Sequence, residues 1–350
     1  GVWIMAYTTI DNSELYFQAK TYSGTGSEQA ITLDGDENMQ PDFVWIKCRS
    51  NSENHVIHDS VRGATKVIHS DTQDGEYTVA EGLKSFDSDG FTLGTSNFAN
   101  QSSRTFVSWC WKAGNSSGSS NSDGSVTSTV SASTASGFSI ARFTGTGSNL
   151  TIGHGLGVKP DFIILKCTSS SSTDWTCYHS SLGATKRLKL NVNDAASTNS
   201  TTWQDTEPTT SVISIGTSGD VNVSSGTHIV YSFANKQGAV KCGSYVGNAN
   251  ADGPFVYTGF KPAWLMVKGD RADGWQIMDN KREGYNVISP RLLANDSASE
   301  YTNLTNCDFL SNGFKVRSDD SHMNYAEDYF YIAFAESPFV NSNGVPNNAR

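Results

Sequence analysis

The chain has 350 residues, a formal net charge of −10 and only 17% charged residues. Its 25 Lys and Arg residues are scattered singly, whereas phosphate contacts need clustered basic side chains, so we expect no nucleic-acid partner. No stretch approaches the roughly 20 apolar residues that a membrane-spanning helix needs. No basic and apolar leader opens the chain, so we expect no membrane partner and synthesis in the cytoplasm without a signal peptide.

Residues 1–19 are predicted to form an N-terminal arm ahead of a motif that recurs three times. Asp11, Asn12 or Ser13 can cap a short helical turn there. The arm is apolar and has no counterpart before the later copies of the motif, so it needs a partner on the first domain or on another subunit. Its candidate assembly contacts are Tyr7, Ile10, Leu15, Tyr16 and Phe17.

The recurring motif has seven residues and organises the chain. Its sequence is PDFVWIK at residues 41–47, PDFIILK at 160–166 and PAWLMVK at 262–268, with starts 119 and 102 residues apart. Proline suits the entry to a strand because it cannot donate to a ladder. The apolar run that follows, closed by a lysine in each copy, predicts a central strand buried on both faces.

The flanks of the motif repeat in step and predict three homologous domains. An aromatic strand ends each repeat 70, 73 and 72 residues after the motif's proline. Short β-rich runs between Gly- and Ser-rich turns predict an all-β chain of three tandem antiparallel β-sandwiches of jelly-roll type, with an immunoglobulin-like sandwich as the alternative. The predicted boundaries are 1–19 for the arm, 20–113, 137–235 and 240–340 for the three repeats, 114–136 for a Ser/Gly-rich linker and 341–350 for a polar tail.

The linker has two parts. Residues 114–124 have the composition of a flexible linker. Residues 125–132 alternate and are β-branched, which favours an edge strand over a disordered connection.

The six cysteines do not form pairs that recur between repeats. Cys48 and Cys167 hold the same place after the motif, where the third repeat has Gly269. We therefore predict buried, unpaired thiols made in a reducing cytoplasm. The absence of a CxxC motif argues against a structural zinc site.

No group of residues predicts catalysis, so we expect no enzyme and no cofactor. His55 and His58 align with Trp175 and Tyr178 and with Trp275 and Met278, while Asp59 aligns with His179 and Asp279. This column predicts a strand whose alternate side chains pack inward. The alternating oxygens of residues 34–38 favour a surface turn over a weak calcium site, because the glycine and distant glutamate of an EF-hand are missing.

Aromatic side chains in polar loops are the remaining functional signal, because they offer rigid amphipathic area for sugars or proteins. The candidate ligand-binding aromatics are Tyr77, Trp203 and Tyr301. Core packing is the alternative for Trp203.

Longer motifs add a resemblance that covers nearly the whole chain. They include MAYTTIDNSELYFQAKTYSGTGS at residues 5–27, SFDSDGFTLG at 85–94, IGHGLGVKPDFIILK at 152–166 and YIAFAESPFV at 331–340. These motifs resemble those of uncharacterised virion proteins of marine tailed phages, often described as tail-fibre or structural proteins. The group supplies no agreed catalytic or binding residues.

The resemblance implies a virion structural protein, either a head decoration, fibre or spike, that acts by assembly and surface attachment. Its implied partners are other virion proteins, including copies of itself in a homo-oligomer. The alternative is a tail fibre or receptor-binding protein that recognises host surface glycans. A filament or adhesin subunit outside phages is the third interpretation.

Overall fold

The computed structural model describes residues 8–338, whose regular secondary structure is almost entirely β-strand. A short 3-10 helix over Ser13–Leu15 comes first, and the Asn12 side chain caps it by accepting a hydrogen bond from the Glu14 N–H at 3.0 Å. The first repeat then contains these elements: β1 (Phe17–Ser23), β2 (Gln29–Thr32), β3 (Phe43–Cys48), β4 (Val56–Asp59), β5 (Lys66–Val67), β6 (Tyr77–Thr78), β7 (Leu83–Asp87), β8 (Gly90–Leu93), α1 (Asn97–Asn100) and β9 (Thr105–Trp111).

The second and third repeats follow the same plan. The second contains β10 (Ser119–Asn121), β11 (Ser128–Ser133), β12 (Phe138–Thr144), β13 (Leu150–Gly153), β14 (Phe162–Cys167), β15 (Thr176–His179), β16 (Lys186–Lys189), β17 (Ser197–Thr198), α2 (Ser200–Trp203), β18 (Val212–Ile215) and β19 (Thr227–Phe233). The third contains β20 (Val240–Val246), β21 (Phe255–Tyr257), β22 (Phe260–Gly269), β23 (Gln276–Asp279), β24 (Leu292–Leu293), β25 (Cys307–Leu310), β26 (Gly313–Val316), α3 (Ser321–Asn324) and β27 (Asp328–Pro338).

Each repeat builds one large antiparallel sheet with the same strand order. The orders are β1-β9-β3-β4, β12-β19-β14-β15 and β20-β27-β22-β23, with further strands extending the second and third sheets. Each repeat also has a smaller sheet, with the orders β2-β8-β7, β13-β18 and β21-β26-β25. The prediction of an all-β chain is confirmed.

The strand that contains the recurring motif is buried on both faces, as predicted. In β3, Val44 and Ile46 pack with Phe91 and Leu93 of the smaller sheet in a core that belongs to the first repeat. Trp45 points the other way, into a cluster formed by all three repeats. The alternation of side chains along a strand therefore gives β3 one local and one shared face.

The shared core lies around an approximate threefold axis. Trp111, Phe233 and Phe334 occupy equivalent positions on β9, β19 and β27, and their ring centroids lie 5.4, 5.6 and 6.5 Å apart. Three equivalent residues can all touch one another only where the axis passes between them. The second repeat contributes Ile164 and the third Met266 at the position of Trp45.

A flexible linker would join the first two repeats as independent domains, but the connection between them is part of the folded structure. Residues 114–136 are ordered: β11 pairs with β12, and β10 pairs with β11. The backbone N–H groups of Ala113 and Asn115 donate to the Asp42 carboxylate at 2.8 and 2.9 Å. The alternation at residues 125–132 correctly indicated a strand, while the Ser/Gly content of residues 114–124 wrongly indicated a free connection.

The N-terminal arm closes one end of the shared core. Ile10 and Phe17 are buried there, and the Phe17 ring lies 5.1 Å from that of Phe334. The Ser13 hydroxyl donates to the Glu336 carbonyl at 2.8 Å. The apolar surface that has no counterpart in the other repeats is therefore covered in large part within the same chain.

All six cysteines are buried and unpaired, as predicted. Burial raises the pKa of the Cys110 thiol to about 12. This thiol is thereby kept protonated near neutral pH, and all six cysteines pack as small apolar groups.

Candidate functional site

The ionisable groups of the shared core lie at the ends of β4, β15 and β23, at equivalent positions of the three repeats. In the first repeat, the Asp59 carboxylate accepts hydrogen bonds from the backbone N–H of Arg62 at 2.8 Å and from its Nε at 2.5 Å. The third repeat has the same pair, with 2.7 Å between Arg282 Nε and the Asp279 carboxylate. Both ion pairs have fully buried side chains. Each arginine also donates to a backbone carbonyl, that of Ile57 or Ile277.

These groups join neighbouring repeats in a cycle. The Tyr231 hydroxyl of the second repeat donates to Asp59 of the first at 2.7 Å. Trp109 Nε1 of the first repeat donates to Asp279 of the third at 2.9 Å. His179 Nε2 of the second repeat donates to a carbonyl of the third, that of Tyr331, at 3.1 Å. Burial lowers the pKa of His179 to about 4, so the imidazole is neutral near pH 7.

A second cycle of hydrogen bonds links the outer parts of the same strands. Trp175 Nε1 donates to the His69 carbonyl and Trp275 Nε1 to the Lys189 carbonyl, both at 2.8 Å. His55, at the equivalent position of the first repeat, lies 2.8 Å from the Leu293 carbonyl through Nε2. Its Nδ1 accepts from Trp45 Nε1 at 2.8 Å. Each repeat therefore binds the backbone of its neighbour in the same direction around the axis.

This arrangement explains the column that contains His55, His58 and Asp59. All three side chains are buried, which confirms the prediction of an inward-packing strand. Burial lowers the pKa of His58 to about 3, and the ring bonds the Ala64 carbonyl at 2.7 Å. His55 and Asp59 therefore join the first repeat to its neighbours, whereas His58 bonds within its own repeat.

The three lysines that close the recurring motif are buried, and two of them donate to a neighbouring repeat. Lys47 Nζ donates to the carbonyl of Ser297 in the third repeat at 3.1 Å. Lys166 Nζ donates to the carbonyl of Gln73 in the first repeat at 2.8 Å. Lys268 Nζ donates to the Gly269 carbonyl at 3.1 Å. Desolvation lowers the pKa of each ammonium group to about 8.

The predicted ligand-binding aromatics lie in different environments and are not brought together. Trp203 is only 1% exposed and packs edge-on against Tyr178, so the interpretation of an exposed loop tryptophan is wrong. It lies in α2, whose four residues turn the ring into the core of the second repeat. Tyr77 and Tyr301 are 37% and 39% exposed, and they pack beside His69 and Arg291 respectively.

The predicted assembly contacts of the arm divide into two groups. Ile10 and Phe17 are buried inside the chain and are not available to a second subunit. Leu15 and Tyr16 are half-buried. Tyr7 lies outside the described residues.

The predicted turn at residues 34–38 is held by protein groups. Asp34 pairs with Lys20, and the Asp36 N–H donates to the Glu14 carboxylate at 2.9 Å. Among residues 8–338, no group of three or more His, Cys, Asp or Glu side chains is arranged to hold a metal ion. Within the same range, no helix has the length and apolar character to span a membrane.

Sequence reasoning missed an exposed aromatic pair on β21. Phe255 and Tyr257 are 46% and 52% exposed, and Val256 between them is buried. The alternation of these three residues is the signal that could have identified an edge strand with an aromatic outer face. A search confined to loop aromatics passes over it.

Replacing Arg62 with leucine should lower the free energy of unfolding by roughly 3–5 kcal/mol, because it leaves the Asp59 carboxylate buried without a positive partner. The double change Asp59→His and Arg62→Leu installs the residues that the second repeat carries as His179 and Leu182. We expect it to recover most of that loss, as measured by urea denaturation. A double variant no more stable than Arg62→Leu alone would show that the charge pair is not the determining feature.

We expect the three buried lysines to contribute a rise in the free energy of unfolding between about pH 8 and the ordinary lysine pKa of about 10.4. Buried thiols such as Cys110, whose pKa is raised, act in the opposite direction in the same window. The folded pKa of Lys47, Lys166 and Lys268 is about 8, so in this window the unfolded chain binds protons that the folded protein does not. The stabilisation that the neutral lysines contribute is complete above the lysine pKa of the unfolded chain, about 10.4. It is lost as the pH falls through 8. The pKa of Asp71 is raised to about 7, so the effect of this carboxyl group on the free energy of unfolding lies below pH 8.

The control for this prediction is the triple variant Lys47→Met, Lys166→Met and Lys268→Met. Urea denaturation of both proteins at pH 8, 9 and 10 should show a more positive slope of the free energy of unfolding against pH for the wild type than for the variant. Equal slopes in the two proteins would rule out the three lysines as the cause.

Comparison with known proteins places this fold in a family. No curated protein and no solved structure matches the chain. The family model described as a domain of unknown function, DUF7483, matches residues 12–338, from the cap of the 3-10 helix to the end of β27. The chain therefore belongs to the DUF7483 family.

Proposed function

We propose that the protein is a structural component of a phage virion, a head decoration, fibre or spike, that acts by assembly and surface attachment. The observation that carries the proposal is the shared core, in which the buried ionisable groups connect one repeat to the next. Asp59, Asp279 and His179 are each bonded to a neighbouring repeat. A protein whose charged interior groups serve to hold its shape is suited to a mechanical role.

The sequence resemblance supports the same role. Its motifs run from the N-terminal arm to the last strand and are shared with virion proteins of tailed phages. In this proposal the three units are tandem homologous β-sandwiches, each with a large and a small sheet. A chain of this kind, with six thiols protected by burial, tolerates both a reducing cytoplasm and exposure outside the cell.

The surroundings of the N-terminal arm indicate how such a unit would be attached. A Cβ atom built on Gly238 would lie 3.1 Å from side-chain atoms of both Thr8 and Pro338, the first and last described residues. Both ends of the described chain therefore lie beside the arm, at one end of the shared core. Attachment at this end leaves the outer faces of the repeats free.

A receptor-binding role on host surface glycans is the second candidate. It is favoured by the distribution of exposed large apolar side chains, since six of the eight in the described residues lie in the third repeat. These six are Val246, Phe255, Tyr257, Tyr285, Tyr301 and Tyr325. Such an uneven distribution is expected when one repeat makes a contact that the others do not.

Electron microscopy of purified particles labelled with an antibody to this protein tests the proposal. We expect label on the particle, and the variant Leu15→Arg should greatly reduce it, because Leu15 is half-buried at the attachment end. Val158→Arg is the matched control, since Val158 is 38% exposed in the second repeat. Particles without label would contradict the virion role. Equal incorporation of the two variants would contradict attachment through the end that contains Leu15. Label confined to tail tips would favour the receptor-binding candidate.

A further inference from the structure

The outer face of the smaller sheet in the third repeat carries an aromatic surface. Phe255 and Tyr257 are two residues apart on β21, so they project from the same face about 7 Å apart. The buried Val256 between them packs into the core of the repeat. β21 is an edge strand of its sheet, and the side chains of Phe255 and Tyr257 are 46% and 52% exposed.

A glycine completes this surface, which we call the aromatic shelf (Phe255, Tyr257 and Gly313). Gly313 lies opposite Tyr257 in the register of β21 and β26. A Cβ atom on Gly313 would lie 3.1 Å from atoms of the Phe255 ring. The Phe255 ring thus extends across the sheet and lies over Gly313, the residue paired with Tyr257. Because Gly313 has no side chain, the surface formed by the two rings is flat and apolar.

The other two repeats have no such shelf at the equivalent positions. In the first repeat, Ala30 and Thr32 on β2 pair with Thr92 and Gly90, which correspond to Phe255 and Tyr257 paired with Lys315 and Gly313. In the second repeat, Thr151 pairs with Ser214. Since the small outward side chains suffice for folding in two repeats, the fold does not require the aromatic pair of the third.

The charges around the shelf are paired. Lys315, which lies opposite Phe255, forms an ion pair with Asp252 at 2.7 Å and donates to the Gly253 carbonyl at 2.8 Å. Arg317 lies 3.6 Å from Asp308, which faces Lys315 on β25. The surface therefore offers hydrogen-bonding groups beside the rings without an excess of either charge, which favours a neutral polar ligand over an ion.

The size and shape of the shelf further restrict the class of ligand that it can bind. Two half-exposed rings offer only roughly 150–250 Å², whereas a stable protein interface needs about 800 Å² from each partner. The surface is open and flat, while wholly apolar small molecules bind in concave pockets. A pyranose ring has C–H groups on its faces and hydroxyl groups on its rim, which match aromatic rings bordered by polar groups.

We propose that the aromatic shelf is a binding site for neutral carbohydrate, with sugar rings stacked on Phe255 and Tyr257 and their hydroxyl groups bonded to the Lys315–Asp252 pair. This inference deepens the surface-attachment role, on which its biological meaning rests. The sugar binding itself is measurable on the isolated protein, and its outcome is separate from the location of the protein on a particle.

Isothermal titration calorimetry with maltohexaose, cellohexaose, mannohexaose and chitohexaose tests the proposal. We expect millimolar or tighter binding of at least one of these sugars. The double variant Phe255→Ser and Tyr257→Ser should bind it at least about tenfold more weakly, since both rings are lost. Tyr285→Ser is the matched control, because Tyr285 is 71% exposed in the same repeat but outside the shelf, and it should bind like the wild type.

A gain-of-function variant separates the shelf from general effects on folding. Ala30→Phe and Thr32→Tyr place aromatic rings on the exposed positions of β2 in the first repeat. We expect a second but weaker binding site, because Thr92 stands where the third repeat has Lys315. Failure of the wild type to bind any of the four sugars would overturn the proposal, as would unchanged binding by the double variant. A wild-type dimer that the double variant converts to a monomer would assign the shelf to self-association instead.

Discussion

The mutual packing of Trp111, Phe233 and Phe334 is the contact on which the rest of the structure depends. Their ring centroids lie within 6.5 Å of one another, so the three central strands must converge at this level. Every large sheet then has one face toward the axis and one toward its own smaller sheet. The two cycles of hydrogen bonds follow from this convergence, because they join polar groups that the packing has removed from water.

Because the three repeats are parts of one chain, their residues can differ at equivalent positions. A trimer of identical chains could not have such differences. Two repeats place an Asp–Arg pair after the same strand, while the second has His179 and Leu182 there. The interior of the second repeat thus avoids the desolvation of two charges, and a neutral imidazole makes the link between repeats. The aromatic shelf is a difference of the same kind on the outside: one repeat carries the rings of Phe255 and Tyr257 where the others have small side chains.

Much of the fold could be predicted from sequence, because its signals are local. The motif around Trp45 predicted a strand buried on both faces, and the lack of a cysteine pair that recurs between repeats predicted free thiols. The element that covers the second face of this strand could not be predicted, because the apolar pattern indicates that a face is buried but does not indicate what it packs against. The same limit explains Trp203, which lies in a polar stretch but is turned inward by α2. For Phe255 and Tyr257, a three-residue strand gave too short a pattern to separate from a loop.

Native-state hydrogen exchange tests most directly the claim that the three repeats form one structure around one core. We expect the slowest amides of β9, β19 and β27 to exchange with the same free energy, equal to that of global unfolding, because the loss of any central strand exposes the aromatic residues of the other two. Exchange from one of these strands at a clearly lower free energy, with the others still protected, would contradict the shared core. The protein would then consist of three repeats that unfold separately.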